Sequence, residues 1–139
     1  VTDLRAFRMD APIRFQHCDP AGIAFFARID ELLNAAFEDW CAAAGMPFAQ
    51  MMGRDRLGFP LVHASLDYLV PLRLGDVATV HLRVADVGRS SVTFDVRVTL
   101  GETACILGQH VRVLTSLETH RAVALPETLR AALGAGAVA

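Results

Sequence analysis

The stretch FFARIDELLNAAFEDWCAAAG, residues 25–45, carries the clearest periodic signal in the chain. Phe26, Ile29, Leu33, Ala36, Phe37, Trp40, Cys41 and Ala44 recur at steps of three and four, while Arg28, Glu31, Asn34, Glu38 and Asp39 fall on the other side. This spacing predicts an amphipathic helix over residues 25–44. It is about 30 Å long, enough to cross a small sheet. Gly45 and then Pro47 stop it, since glycine accepts the left-handed closing turn and proline cannot continue a helix.

C-terminal to the helix the period changes to two. Val62, Ala64, Leu66, Tyr68 and Val70 alternate with His63, Ser65 and Asp67. Ala78, Val80, Leu82 and Val84 alternate with Thr79, His81 and Arg83, and Val92, Phe94, Val96, Val98 and Leu100 with Thr93, Asp95, Arg97 and Thr99. Each run predicts a strand with one buried face. Residues 104–115 alternate less cleanly, and Gly108 within them reads as a bulge. Gly75-Asp76, Gly88-Arg89 and Gly101-Glu102 mark turns. Residues 47–58 read as irregular, 8–18 as a first strand, and 126–133 as a short helix entered at Pro126, with a frayed tail. The order of strand, long helix and four strands predicts one α+β domain over residues 1–139: an antiparallel five-stranded sheet wrapped around one long central helix. An open sheet leaves edges that need protection, so edge-to-edge pairing into a homodimer is expected.

Composition narrows the function classes. The 139 residues are 53% hydrophobic and 20% charged, with a net charge of −2 and 13 Lys+Arg. No basic excess points to nucleic acid. No apolar run approaches the roughly 20 residues of a membrane helix. The N-terminus lacks a signal-peptide layout, and Cys18, Cys41 and Cys105 suggest neither a disulfide framework nor a zinc knuckle, so a cytoplasmic location is expected. No metal and no cofactor is expected.

Upstream of the helix lies FQHCDPAGI, residues 15–23. It places Asp19 where a strand-like segment gives way, through a Pro-x-Gly turn, to a helix N-terminus. A fixed negative charge and unpaired backbone N–H groups meet there, and acyl transfer needs both. The bland alternative is that Asp19 caps the turn, as Asp before Pro often does. His17 and Asp19 share a face if the strand continues, and Cys18 then points away, which argues against a Cys-His-Asp triad.

Asp19-Pro20-Ala21-Gly22-Ile23 ahead of a long helix resembles the 4-hydroxybenzoyl-CoA thioesterase family of hotdog-fold proteins. Gly58-Phe59-Pro60-Leu61-Val62, leading to Tyr68, Pro71, Gly75 and Asp76, is similar to that family's second strand, and Gly88-Arg89-Ser90-Ser91 to its next hairpin. The likeness spans residues 10 to 115. It implies a hotdog fold, a homodimer or tetramer of dimers, and acyl-CoA hydrolysis at subunit interfaces. Coenzyme A enters as part of the substrate, and an acyl-carrier protein is a second candidate carrier.

The resemblance implies Asp19 as nucleophile or general base, with the backbone N–H of Phe26 as oxyanion donor. Arg89 and Ser90 correspond to a nucleotide-contacting hairpin, although the family carries more positive charge there. His17 stands where relatives often have an acid; it could tune Asp19 or line the pocket, or be simply a solvent-exposed or packed histidine. Phe25, Phe26, Phe59 and Met51-Met52 lie near the expected acyl pocket, and an aromatic or short- to medium-chain acyl group would suit them; core or interface packing is the commoner fate of Phe and Met. Gly22 is a further expected substrate-binding residue. His63 is placed on the strand face outside the core, near the pocket or on the surface. Glu31 and Glu38 lack the upstream His-Gly-Gly segment of a second hotdog lineage, so they read as solvated or at a subunit contact. A hydratase or dehydratase would want a His in residues 20–45, which hold none. A non-catalytic acyl-CoA-binding module is the remaining alternative.

Overall fold

A computed structural model describes residues 2–136. Its spine is helix α1 (Phe26–Ala43), which buries Ile29, Leu33, Ala36, Phe37, Trp40 and Cys41, the stripe its periodicity dictates. Around it curve β1 (Ala6–Pro12), β3 (Leu61–Tyr68), β4 (Val77–Val87), β5 (Ser91–Leu100) and β6 (Thr103–Val113). They form one antiparallel sheet in the order β1-β4-β5-β6-β3. The inner face presents Val80, Leu82 and Val84 of β4 and Val92, Phe94, Val96 and Val98 of β5, all buried. Alternation supplies this apolar surface, and the helix stripe covers it.

Aromatic rings lock the layers. Phe37 meets Phe48, Phe59 and Phe94 edge-on, with centroids 6.0, 5.3 and 5.8 Å away. Trp40 lies edge-on to Phe94 at 5.0 Å. Its indole N–H, buried with the ring, donates to the Leu4 carbonyl at 2.8 Å and so ties the chain start to the helix. At the other end of the chain, α3 (Glu127–Ala132) holds the β4–β5 hairpin through Arg130, whose Nη1 donates to the Gly88 carbonyl at 2.7 Å.

Several expectations need correction. The first strand ends at Pro12, and residues 15–17 form a 3-10 turn. Proline cannot donate to a sheet ladder, so the strand has a reason to stop there. The segment expected to be irregular contains α2 (Phe48–Gly53), too short for its period to register, and β2 (Leu57–Gly58), paired with β7 (Thr115–Ser116). Most of the face expected to be buried on β3 lies open: Val62 is 58% exposed and Tyr68 49%, and only Leu66 of that run packs against the core. β3 is an edge strand bonded only to β6, so neither a neighbouring strand nor α1 covers that flank. Gly108 is not a bulge. β6 runs through it in register with Leu66 and Val96, and the register shifts lie at Leu61/His63, Val84/Asp86 and Val98/Thr99.

The reason for glycine at 108 is close approach. A Cβ there would run into the Ser65 carbonyl oxygen and the Leu66 side chain of β3. Gly108→Ala should therefore push β3 off β6, lowering stability by about 1–3 kcal/mol in denaturant unfolding.

Candidate active site at the start of the central helix

The loop from Asp19 to Phe25 consumes its own amides one by one. Asp19 N–H donates to the Ile23 carbonyl at 3.0 Å and Gly22 N–H to the Asp19 carbonyl at 2.9 Å. Ala21 and Ile23 N–H donate to Asp19 Oδ1 at 2.9 and 3.3 Å. Ala24 N–H reaches the Leu72 carbonyl at 2.8 Å, and Phe25 N–H the His17 carbonyl at 3.1 Å. Pro20 has none to give. Phe26 is thus the first residue whose N–H has no acceptor among the described residues, and it opens α1, where the helix dipole is positive. Gly22 makes the turn possible at φ 77°, which side chains rarely adopt.

Asp19 is exposed, seven residues before Phe26. Its Oδ1 serves the turn, so the capping role is present. Its Oδ2 has no partner among the described residues, which leaves one carboxylate oxygen available for chemistry. Beside the helix start lies a cleft of about 340 Å³, lined by Ile23, Phe26, Ile29, Tyr68, Leu72 and Ile106. Asp30 stands one turn after Phe26, on the same side of the helix. Burial raises the pKa of Asp30. That of Tyr68 is raised first by burial and then by the Asp30 charge. Asp30 is absent from the expected site, and the i, i+4 step from Phe26 is its signal in the sequence. Glu31 is exposed and pairs with Arg28 at 2.8 Å, a solvated surface pair.

The other expected site residues are distributed differently. His17 does not share a face with Asp19, because the 3-10 turn replaces the strand. Its ring is 7% exposed, and Nδ1 accepts the Arg14 N–H at 2.9 Å, a capping role. Cys18 is half-buried, with its thiol against the Arg14 carbonyl at 3.5 Å and no bond to His17 or Asp19. Phe25 is exposed and packs edge-on to Phe26 at 5.7 Å.

Phe59 is buried against Phe37, eleven residues along α1 from Phe26 and so about 16 Å away. Arg89 and Ser90 lie at the β4–β5 hairpin, at the opposite end of the sheet from Asp19; their carbonyls accept the Leu125 and Leu114 N–H groups. His63 points to the outer sheet face opposite Val111. One copy therefore holds Asp19, Gly22, Phe25 and Phe26 at one end and Phe59, His63, Arg89 and Ser90 at the other. Among the described residues no group of three His, Cys, Asp or Glu side chains could hold a metal, and no helix is long and apolar enough to cross a membrane.

The Phe59 end contains what sequence reasoning missed. Arg112, 6% exposed, lays its guanidinium over the Phe37 ring, 4.1 Å from the centroid. Nη1 donates to the Phe59 carbonyl and Nη2 to Asn34 Oδ1, each at 3.3 Å. Arg112 Nε and His110 Nε2 are buried without a partner among the described residues. The cation also opposes the burial that pushes the Cys41 thiol up to about 12. The signal was the broken alternation of residues 104–115: Ile106, Gly108, His110, Arg112 and Leu114 all face inward.

Residues 13–133 match the model of the Thioesterase-like superfamily, and the chain belongs to it. It is 27% identical to the 1,4-dihydroxy-2-naphthoyl-CoA hydrolase of Synechococcus elongatus over 89% of this chain and 92% of that one. Against the hydrolase of the same name from Nostoc punctiforme it is 29% identical, covering 76% and 73% of the two chains. Among solved structures, a 1,4-dihydroxy-2-naphthoyl-CoA thioesterase from Synechocystis superposes with a TM-score of 0.83 at 21% identity over 93% and 96%. A gentisyl-coenzyme A thioesterase does so with 0.82 at 19% identity over 91% and 98%. The fold is the hotdog fold. The membership is that of the superfamily, broader than the 4-hydroxybenzoyl-CoA type that the sequence resembles.

His110 yields a pH prediction. Burial, and then the Arg112 charge, push its pKa from the ordinary 6.5 down to about 4. Below pH 6.5 the unfolded chain takes up a proton that the folded one refuses, so stability present above that pH is lost as pH falls toward 4. Denaturant midpoints should fall over this window in the wild type and fall less steeply in His110→Leu.

Proposed function

We propose that the protein is an acyl-CoA thioesterase acting on aromatic, hydroxylated acyl groups, with Asp19 as the reacting carboxylate and the Phe26 N–H as oxyanion donor. The observation that carries this reading is the loop accounting: among the described residues every amide from Asp19 to Phe25 is spent, the Phe26 N–H has no acceptor, and one oxygen of Asp19 has no partner. A carbonyl oxygen seated on Phe26 N–H gains negative charge as the carbonyl carbon is attacked, and a preorganised donor stabilises it. Either Asp19 adds to that carbon, CoA leaves as the thiolate and water cleaves the mixed anhydride, or Asp19 takes the proton of an attacking water. The names of the superfamily relatives, dihydroxynaphthoyl-CoA and gentisyl-CoA thioesterases, support an aromatic acyl group.

The complete site takes two copies in this reading. Along β3, Tyr68 marks the Phe26 end and Leu61 the Phe59 end. Two-fold antiparallel pairing of the open β3 edges would set Asp19 and Phe26 of one copy beside Phe59, Arg89 and Ser90 of the other. It would also cover Val62 and Tyr68.

A panel of acyl-CoA thioesters assayed with a thiol reagent tests the activity. Thiol release is expected; hydration without thiol, or saturable binding alone, refutes it. Asp19→Asn keeps an oxygen for the Ala21 and Ile23 amides, so melting should be preserved while turnover falls about 10²–10⁴-fold. Retention of most activity refutes the assignment. Light scattering at micromolar concentration should give the mass of two or more copies; a single-copy mass would remove the shared site.

A further inference from the structure

Arg112 is a buried charge without a counter-charge. Among the described residues no carboxylate pairs with it, although burial of a guanidinium is costly unless it is paired. It is held flat by three fixed contacts: the Phe37 ring below, the Phe59 carbonyl on Nη1 and Asn34 Oδ1 on Nη2. Those bonds occupy two of its five N–H donors. It also lines a slot of about 360 Å³ walled by Phe48, Met51, Met52, Phe59 and Leu117, in which Thr115 and His120 are the other polar side chains. Ligand pockets are of this kind: mostly apolar, with a few fixed polar groups that set orientation.

We infer that Arg112 is a specificity-determining residue, donating hydrogen bonds to a hydroxyl or phenolate oxygen on the aromatic ring of the acyl group, whose body fills the slot. This rests on the two-copy thioesterase reading, in which the slot of one copy faces the Asp19 end of the other. Arginine only donates, so the group it reads must offer an acceptor oxygen. The apolar walls suit an aryl ring better than a short polar acyl chain, and the rigid guanidinium fixes where the oxygen sits. His110, two residues along the same strand face, is neutral near pH 7 and adds no competing charge.

The test compares benzoyl-CoA with the three monohydroxybenzoyl-CoA isomers by kcat/KM. The wild type should prefer at least one hydroxylated isomer by about tenfold or more, the range of a hydrogen bond to a charged group. In Arg112→Met that preference should fall close to one, whatever happens to the absolute rates. Arg112→Lys, which keeps the charge but loses the flat fork, should retain part of it and serves if the Met variant does not fold. Absence of any hydroxyl preference in the wild type overturns the inference. So does an Arg112→Met variant that slows all four substrates by one common factor, or one that separates the two copies.

A second arm needs no turnover. Calorimetry should show the wild type binding the preferred hydroxybenzoate more tightly than benzoate, with the difference lost in Arg112→Met. If the wild type hydrolyses none of the thioesters, the thioesterase reading fails by itself, and this binding difference decides the role of Arg112.

Discussion

Phe37 is the contact on which the arrangement turns. One ring on α1 touches α2 through Phe48, the entry to β3 through Phe59, and β5 through Phe94, with the Arg112 guanidinium on its face. Edge-on aromatic pairs are directional, so they fix the helix in rotation as well as in height over the sheet. With the helix so fixed, its first turn is delivered to the Asp19 loop and Asn34 to Arg112. Both halves of the proposed site are thus set by packing around one side chain.

Much of this was legible in the chain because two periods are hard to mistake. The helical stripe from Ile29 to Cys41 and the alternation of β4 and β5 each put many residues on one face, and burial followed; Phe26, expected at the head of that stripe, is instead 64% exposed. The position of Asp19 before a helix was legible for the same reason. What the sequence does not encode locally was lost. α2 spans six residues, less than two turns. The alternation of β3 announces a strand but not that the strand is an edge, since that depends on which neighbour pairs with it. Pro12 offered a stopping point for β1, yet an apolar residue on each side of it hid the break. In β6 the alternation is broken not by Gly108 but by two inward-facing polar residues, His110 and Arg112.

The candidate site shows the same division. The residues of Asp19-Pro20-Ala21-Gly22-Ile23 are consecutive, so their turn could be read from the sequence. The Arg112 cluster draws on α1, the segment before β3, and β6, and Asn34 and Arg112 are 78 positions apart. Such groups announce themselves only as violations of a pattern: a cation where the alternation calls for an apolar side chain. Its physical oddness becomes visible once no carboxylate among the described residues is found paired with it.

The unequal bonding of the Asp19 carboxylate has a consequence of its own. Because Ala21 and Ile23 clamp Oδ1, the two oxygens cannot exchange places without breaking the turn. In the anhydride route the acyl group would sit on the unclamped atom. The clamped one would become a carbonyl already polarised by two amides, a second, smaller oxyanion hole. Water could then be drawn to the aspartyl side of the anhydride, and single-turnover hydrolysis in ¹⁸O water would leave the heavy isotope on the enzyme. The loop that orients the acid would thereby also choose which of two C–O bonds is cut.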